Sequence, residues 1–138
     1  MTRLLVVDDE ARIRSFLREA LEMVGHTVDV AVDGAEALES LRHRSYDVVL
    51  TDLKMPRMGG MELLRRMSAD APESQVIVLT AHGTVESAVE AIKGGAFDYL
   101  QKPVSSLEEL QLLVSRAVER KQLLALREQT RRAIGRVP

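Results

Sequence analysis

A chain of 138 residues, 46% hydrophobic and 29% charged, has the balance of one globular domain and lies far from the low-hydrophobicity composition of disordered chains. Its net charge of −2 gives no electrostatic case for non-specific nucleic-acid binding, and the absence of cysteine excludes disulfides and thiolate metal sites. The first apolar run, Leu4 to Val7, meets Asp8-Asp9-Glu10 at once; it is too short for a signal peptide, and no run approaches transmembrane length, so a soluble cytoplasmic protein with no membrane partner is expected.

Leu4 to Val7 reads as a strand buried on both faces. Ile13, Phe16, Leu17, Ala20, Leu21 and Val24 then recur at helical spacing, with Gly25 placed to cap that helix. Thr27 to Ala31 is a second strand, and Asp33 with Glu36 forms a capping box that opens a helix through Ala37, Leu38 and Leu41. The third strand, Val48 to Leu50, is wholly apolar and runs into a lone carboxylate, Asp52, with Pro56 stopping extension. Gly59-Gly60 leads into a helix with Leu63, Leu64 and Met67, ended by Pro72. Val76 to Leu79 is a fourth strand. Thr84 caps a helix with Val85, Ala88, Val89 and Ile92 on one face, closed by Gly94-Gly95. Phe97 to Gln101 is a fifth strand, and a second capping box, Ser106 with Glu109, opens a last helix expected to run to about Thr130. Five strands alternating with five helices imply an α/β fold with a doubly wound parallel sheet.

An acid at the end of a buried strand is costly unless a cation or donor meets it. In open α/β sheets ligands bind beyond the carboxyl ends of the strands, where strand order reverses. Those ends carry Asp8 and Asp9 on the first strand, Asp52 on the third, Thr80 on the fourth and Lys102 on the fifth; the second ends in Ala31-Val32 and offers nothing. With strand order 2-1-3-4-5 and neighbours about 4.8 Å apart, Asp9 and Asp52 are placed to share a metal ion, and the Lys102 side chain can largely close a gap of roughly 10 Å. Three carboxylates against one ammonium leave a charge of −2 uncompensated. Hard oxygen ligands without His or Cys favour Mg²⁺, with Mn²⁺ as a substitute. The neutralised site would tolerate a phosphoryl group, whose transfer needs little beyond positioning and charge neutralisation. Asp52 is the candidate nucleophile, forming an acyl phosphate, with Lys102 and the Thr80 hydroxyl stabilising its oxygens. Asp8-Asp9 alone would read as a helix cap, but a cap has no use for Asp52 and Lys102.

Val6-Val7-Asp8-Asp9-Glu10, Asp52-Leu53-Lys54-Met55-Pro56 with Gly60, Thr80-Ala81 and Lys102-Pro103 together resemble the receiver domain of two-component response regulators, a flavodoxin-like (βα)5 fold. The resemblance covers residues 1 to about 120. It implies that Asp52 accepts a phosphoryl group from a phosphohistidine on a sensor histidine kinase. It also implies that Asp9 binds Mg²⁺ directly, that Asp8 acts mostly through water, and that the Lys54 carbonyl completes the protein ligands. Thr80 and Tyr99 match the family's switch pair, and Lys102-Pro103 its cis peptide; Gly59 departs from the Asp often found there. Such a domain is a regulatory phosphoacceptor that catalyses only its own phosphorylation and dephosphorylation. The stretch from Thr80 to Pro103 is similar to receivers of the nitrogen-regulation type, which precede a sigma-54-interacting AAA+ ATPase and a helix-turn-helix DNA-binding domain. No P-loop follows Pro103, so the chain is either an isolated receiver fragment or a stand-alone protein; a fragment is expected, with residues 1–120 the receiver and 121–138 a linker helix toward a missing effector.

The last helix would span roughly 37 Å, past the domain edge. Leu107, Leu110, Val114, Ala117, Lys121 and Leu124 follow a 3-4 spacing that suggests a coiled-coil seam, so a homodimer through this helix and the face of the fourth helix, fifth strand and fifth helix is expected. Arg127, Arg131, Arg132 and Arg136 form a basic tail without aromatics, more consistent with solvation than with nucleic-acid contact. His26 and His43 are expected at the surface, and His82 near the site mouth, where it would affect water access. Two competing functions share parts of the pattern. A flavin carrier needs a hydroxyl- and glycine-rich loop after the first strand, where Asp8-Asp9-Glu10 would repel the flavin phosphate. A haloacid-dehalogenase-type phosphatase needs a second acid two residues after the nucleophile, where Lys54 stands.

Overall fold

The structure, a computed structural model, describes residues 2–81 and 85–135, the Val85 side chain excepted. Strands β1 (Arg3–Val7), β2 (Thr27–Ala31), β3 (Val48–Asp52), β4 (Gln75–Thr80) and β5 (Asp98–Gln101) alternate with helices α1 (Ala11–Glu22), α2 (Gly34–His43), α3 (Gly60–Asp70), α4 (Val85–Lys93) and α5 (Leu107–Gly135). All pairings are parallel, in the expected order β2-β1-β3-β4-β5.

Strand alternation divides the core into two layers. Leu4, Val6, Leu50, Ile77 and Leu79 face Leu17 and Leu21 of α1 and Leu110 and Val114 of α5. Leu5, Val7, Val49 and Val78 face Leu63 and Met67 of α3 and Ala91 of α4. Both faces being covered explains why the central strands are apolar without interruption. Register then brings every strand's carboxyl end to one rim: Val7 pairs with Thr51, Asp52 with Leu79, and Thr80 with Gln101.

Local signals end the helices close to the expected places. Asp33 Oδ1 accepts the Glu36 N–H at 2.9 Å, and Ser106 Oγ accepts the Glu109 N–H at 3.1 Å, one half of each capping box. The Thr84 cap and His82 lie outside the described residues. α1 stops at Glu22, so Val24 falls in the turn closed by Gly25, and both Val24 and Phe16 are exposed. Among the described side chains of α4 the buried ones are Ala88 and Ala91, while Val89 and Ile92 stand out from the body. Small residues let α4 lie close to the sheet, and the larger ones of the same apolar stripe are left on its outer flank. His43 ends α2 at the surface beside Glu39, whereas His26 is half-buried against Thr2.

The last helix is longer than expected, with Thr130 to Gly135 still helical. Its inner half packs on the sheet through Leu110, Leu113, Val114, Ala117 and Val118, and no described residue after Val118 is buried. Lys121 Nζ, 3.1 Å from Asp47 Oδ1, holds the point where the helix leaves the body. Most of the 3-4 series read from the sequence is therefore spent within this chain. A second apolar stripe of Leu112, Leu123, Leu126 and Ile134 is exposed on the opposite side of the helix. Arg131 and Arg132 pair with Glu128 on their own helix, and Arg136 lies outside the described residues.

This division has an energetic consequence. Truncating Leu110 to Ala opens a cavity under the sheet and is expected to cost about 2–5 kcal/mol, whereas Leu123→Ala in the overhang should change stability by about 0.5 kcal/mol or less. Urea denaturation of the two variants checks this, and similar losses would contradict the assignment of body and overhang.

Candidate functional site

Three elements converge at the carboxyl rim of the sheet. Asp8 follows β1 directly and is buried; its N–H donates to the Ala31 carbonyl at 3.1 Å and its Oδ1 accepts the Glu10 N–H at 2.9 Å. Arg14 of α1 donates from Nη1 to the Asp8 carbonyl at 2.7 Å, tying the start of the helix to the strand end. Asp9 points outward and is exposed. Asp52 is the last residue of β3 and is buried. One oxygen from each of Asp8, Asp9 and Asp52 lies within 4.8 Å of the others.

Lys102 enters from β5, its N–H donating to the Thr80 carbonyl at 2.8 Å and its cis bond to Pro103 turning the chain away. The ammonium sits 2.7 Å from Asp8 Oδ2 and 3.2 Å from Asp52 Oδ2. Burial works against the charged form, but the Asp8 hydrogen bond and the Asp52 charge outweigh it, so the Lys102 pKa is raised. Asp8 Oδ2 meets this ammonium and no other donor among the described residues, and Thr80 Oγ1, also buried, has no hydrogen-bond partner among them. An unpaired buried hydroxyl is costly and marks a group awaiting a ligand or a rearrangement.

The turn after Asp52 is held tightly. The Gly60 N–H donates to the Leu53 carbonyl at 2.9 Å, and any side chain on Gly60 would run into the Asp52 carbonyl. Gly59 caps α3 with no side-chain hydrogen bond. The Lys54 N–H makes a long 3.5 Å contact with Asp52 Oδ1. Tyr99 on β5 is 45% exposed, so its ring stands outside the core while Thr80 is inside.

The donor set fits a hard divalent cation: three carboxylates, no nitrogen or sulfur ligand among the described residues, and one ammonium paired with two of the acids. The model of the response regulator receiver domain matches residues 4–115. The chain belongs to the response regulator receiver domain family. Among its relatives is the DNA-binding transcriptional regulator NtrC of Escherichia coli, 43% identical over 113 residues that make up 82% of this chain and 24% of the relative. The chain thus spans about a quarter of that protein. A solved receiver domain protein from Clostridium thermocellum superposes with a TM-score of 0.84 at 40% identity, covering 90% of this chain and 99% of that one. NtrX from Brucella abortus superposes at 0.87 and 34% identity, covering 93% of this chain and 30% of that one. The protein is therefore the receiver domain of a two-component response regulator, and among the described residues no helix is long and apolar enough to cross a membrane.

The receiver geometry brings together Asp8, Asp9, Asp52, Thr80 and Lys102, the five residues singled out at the strand ends. Sequence reasoning read Asp33 only as a helix cap and missed Arg57 and Arg14. Asp33 lies just past the strand end judged empty and is buried, with its Oδ2 accepting from Arg57 Nε at 2.6 Å. Its acid character was visible, but nothing in the spacing pointed to Arg57. The Glu36 N–H holds the Asp33 carboxyl below the usual range; burial opposes this, and the Arg57 guanidinium adds to the lowering. A depressed folded-state pKa gives stability that is present above roughly pH 3.9 and lost as pH falls through the folded value. Asp33→Asn should therefore lower stability at neutral pH and flatten the acid limb of the stability–pH curve; an unchanged slope below pH ~4 would contradict it.

Proposed function

We propose that this receiver domain is a phosphorylation-dependent switch in which Asp52 accepts a phosphoryl group from a phosphohistidine on a sensor histidine kinase. The observation that carries the reading is the unbalanced charge at the rim, three carboxylates with one ammonium, while the Thr80 hydroxyl on the neighbouring strand is buried without a hydrogen-bond partner among the described residues. Mg²⁺, or Mn²⁺ in its place, would be held by Asp8, Asp9, Asp52 and the Lys54 carbonyl and would supply the positive charge that lets the site tolerate an incoming dianion.

The chain's own groups do the rest. An Asp52 carboxylate oxygen attacks phosphorus, the phosphorus–nitrogen bond of the donor breaks, and its electron pair returns to the imidazole. Lys102 already reaches Asp52 while anchored on Asp8, so it can donate to a phosphoryl oxygen with little reorganisation. Among the described residues the Thr80 hydroxyl has no hydrogen bond to give up before it turns toward the new oxygens. Its movement would open space for Tyr99 to pack inward, a two-state change biased by the new charge. That change would remodel the face of α4, β5 and α5, where Val89, Ile92 and Tyr99 are 42–45% exposed.

The same face and the outer stripe of α5, Leu123 and Leu126, are the surfaces through which a homodimer would form and relay the switch. On this reading residues 1–120 are the receiver, and 121–138 lead as a linker helix toward a sigma-54-type AAA+ domain and a DNA-binding domain in a cytoplasmic transcription activator. The receiver itself would not contact nucleic acid. The similarity to a regulator whose length it covers by a quarter supports this.

Wild-type protein is expected to be labelled by acetyl phosphate or the cognate kinase only with Mg²⁺, and Asp52→Asn to take up no label. Full labelling of the Asn variant would sink the assignment. Thr80→Ala should still be labelled but lose any change in sedimentation that phosphorylation produces in the wild type.

A further inference from the structure

The loop from Leu53 to Gly59 leaves the rim and passes beside the start of α2. At its base the Gly60 N–H bonds the Leu53 carbonyl at 2.9 Å. At its outer end a second set of contacts reaches an element that carries none of the carboxylates or the lysine of the site. Arg57 Nε donates to Asp33 Oδ2 at 2.6 Å, and Nη2 of the same guanidinium also pairs with that carboxylate oxygen. The Gly34 N–H donates to the Met58 carbonyl at 3.0 Å, and a side chain on Gly34 would collide with Met58.

These contacts hold the loop against two costs. Arg57 has φ +67°, a conformation unfavourable to residues with a Cβ. Its side chain is otherwise 67% exposed and gives up rotamer freedom to stay in place. Asp33 needs no guanidinium to cap α2, since Glu36 already supplies its N–H. What the ion pair does is fasten the loop, whose base lies at the site, to the α2 end of the molecule.

We propose that Arg57 is a positioning residue for the metal site, holding the 53–59 loop through Asp33 so that the Lys54 main chain stays in place beside Asp52. This rests on the reading of the carboxylate cluster and the Lys54 carbonyl as a Mg²⁺ site. Isothermal calorimetry of Mg²⁺ binding to the unphosphorylated protein tests it. Arg57→Ala should bind about tenfold more weakly. Asp33→Asn should show a similar loss, and the double variant no more than either alone, because both act through one contact. Val118→Ala, a core truncation remote from the loop, should lose stability and keep wild-type affinity. Wild-type affinity in Arg57→Ala, or an equal loss in Val118→Ala, would overturn the positioning role alone. Absence of Mg²⁺ binding by the wild type would overturn the metal-site reading and this role with it.

Discussion

The Lys102 ammonium lies between Asp8 and Asp52, 2.7 Å from one and 3.2 Å from the other, and the rest of the structure serves that contact. Buried carboxylates are tolerated only with a partner, and one cation shared by two acids is a minimal partner. To bring it there, the chain must place the ends of β1, β3 and β5 on one rim, which the parallel order β2-β1-β3-β4-β5 does. Reversing any of these strands would carry its terminal charge to the far side of the sheet. With Asp9 added, the rim stays under-compensated, and an under-compensated rim is what makes a cation and a phosphoryl dianion acceptable together.

The two faces of the sheet divide the remaining work. The face that packs α1 and α5 is filled with large residues, among them Leu17, Leu21, Leu110 and Val114, and provides the rigid base. On the other face the buried side chains of α4, among those described, are Ala88 and Ala91, smaller than Leu63, Leu64 and Met67 of α3. The proposed remodelling of this face on phosphorylation would uncover only small side chains at those two positions. α5 spans both roles: anchored through Val118 and braced at Lys121 by Asp47, it continues as a bare helix to Gly135.

Fold and rim were legible because their signals are local. The apolar runs at Leu4–Val7, Val48–Leu50 and Val76–Leu79 can only be buried strands, and each ends on a polar residue whose presence needs a reason. The caps at Asp33 and Ser106 were equally plain. What could not be read depends on which of several apolar residues faces inward. Periodicity placed Val89 and Ile92 with Ala88, but depth of packing separates them. The 3-4 series on α5 was real, yet the sheet takes it as far as Ala117, leaving Leu123 and Leu126 on a different side for any partner. Arg57 was invisible for another reason: its role comes from a loop meeting Asp33, 24 residues away, with no spacing rule to connect them.

Asp52 is proposed as the group that the rim makes reactive, and its reactivity is expected to require the added cation. Borohydride reduction after treatment with acetyl phosphate converts an acyl phosphate to an alcohol and marks the acid that carried it. Peptide sequencing should find homoserine at position 52 in protein treated with Mg²⁺ present and not in its absence. Modification at another acid, or equal modification of Asp52 without the metal, would contradict it.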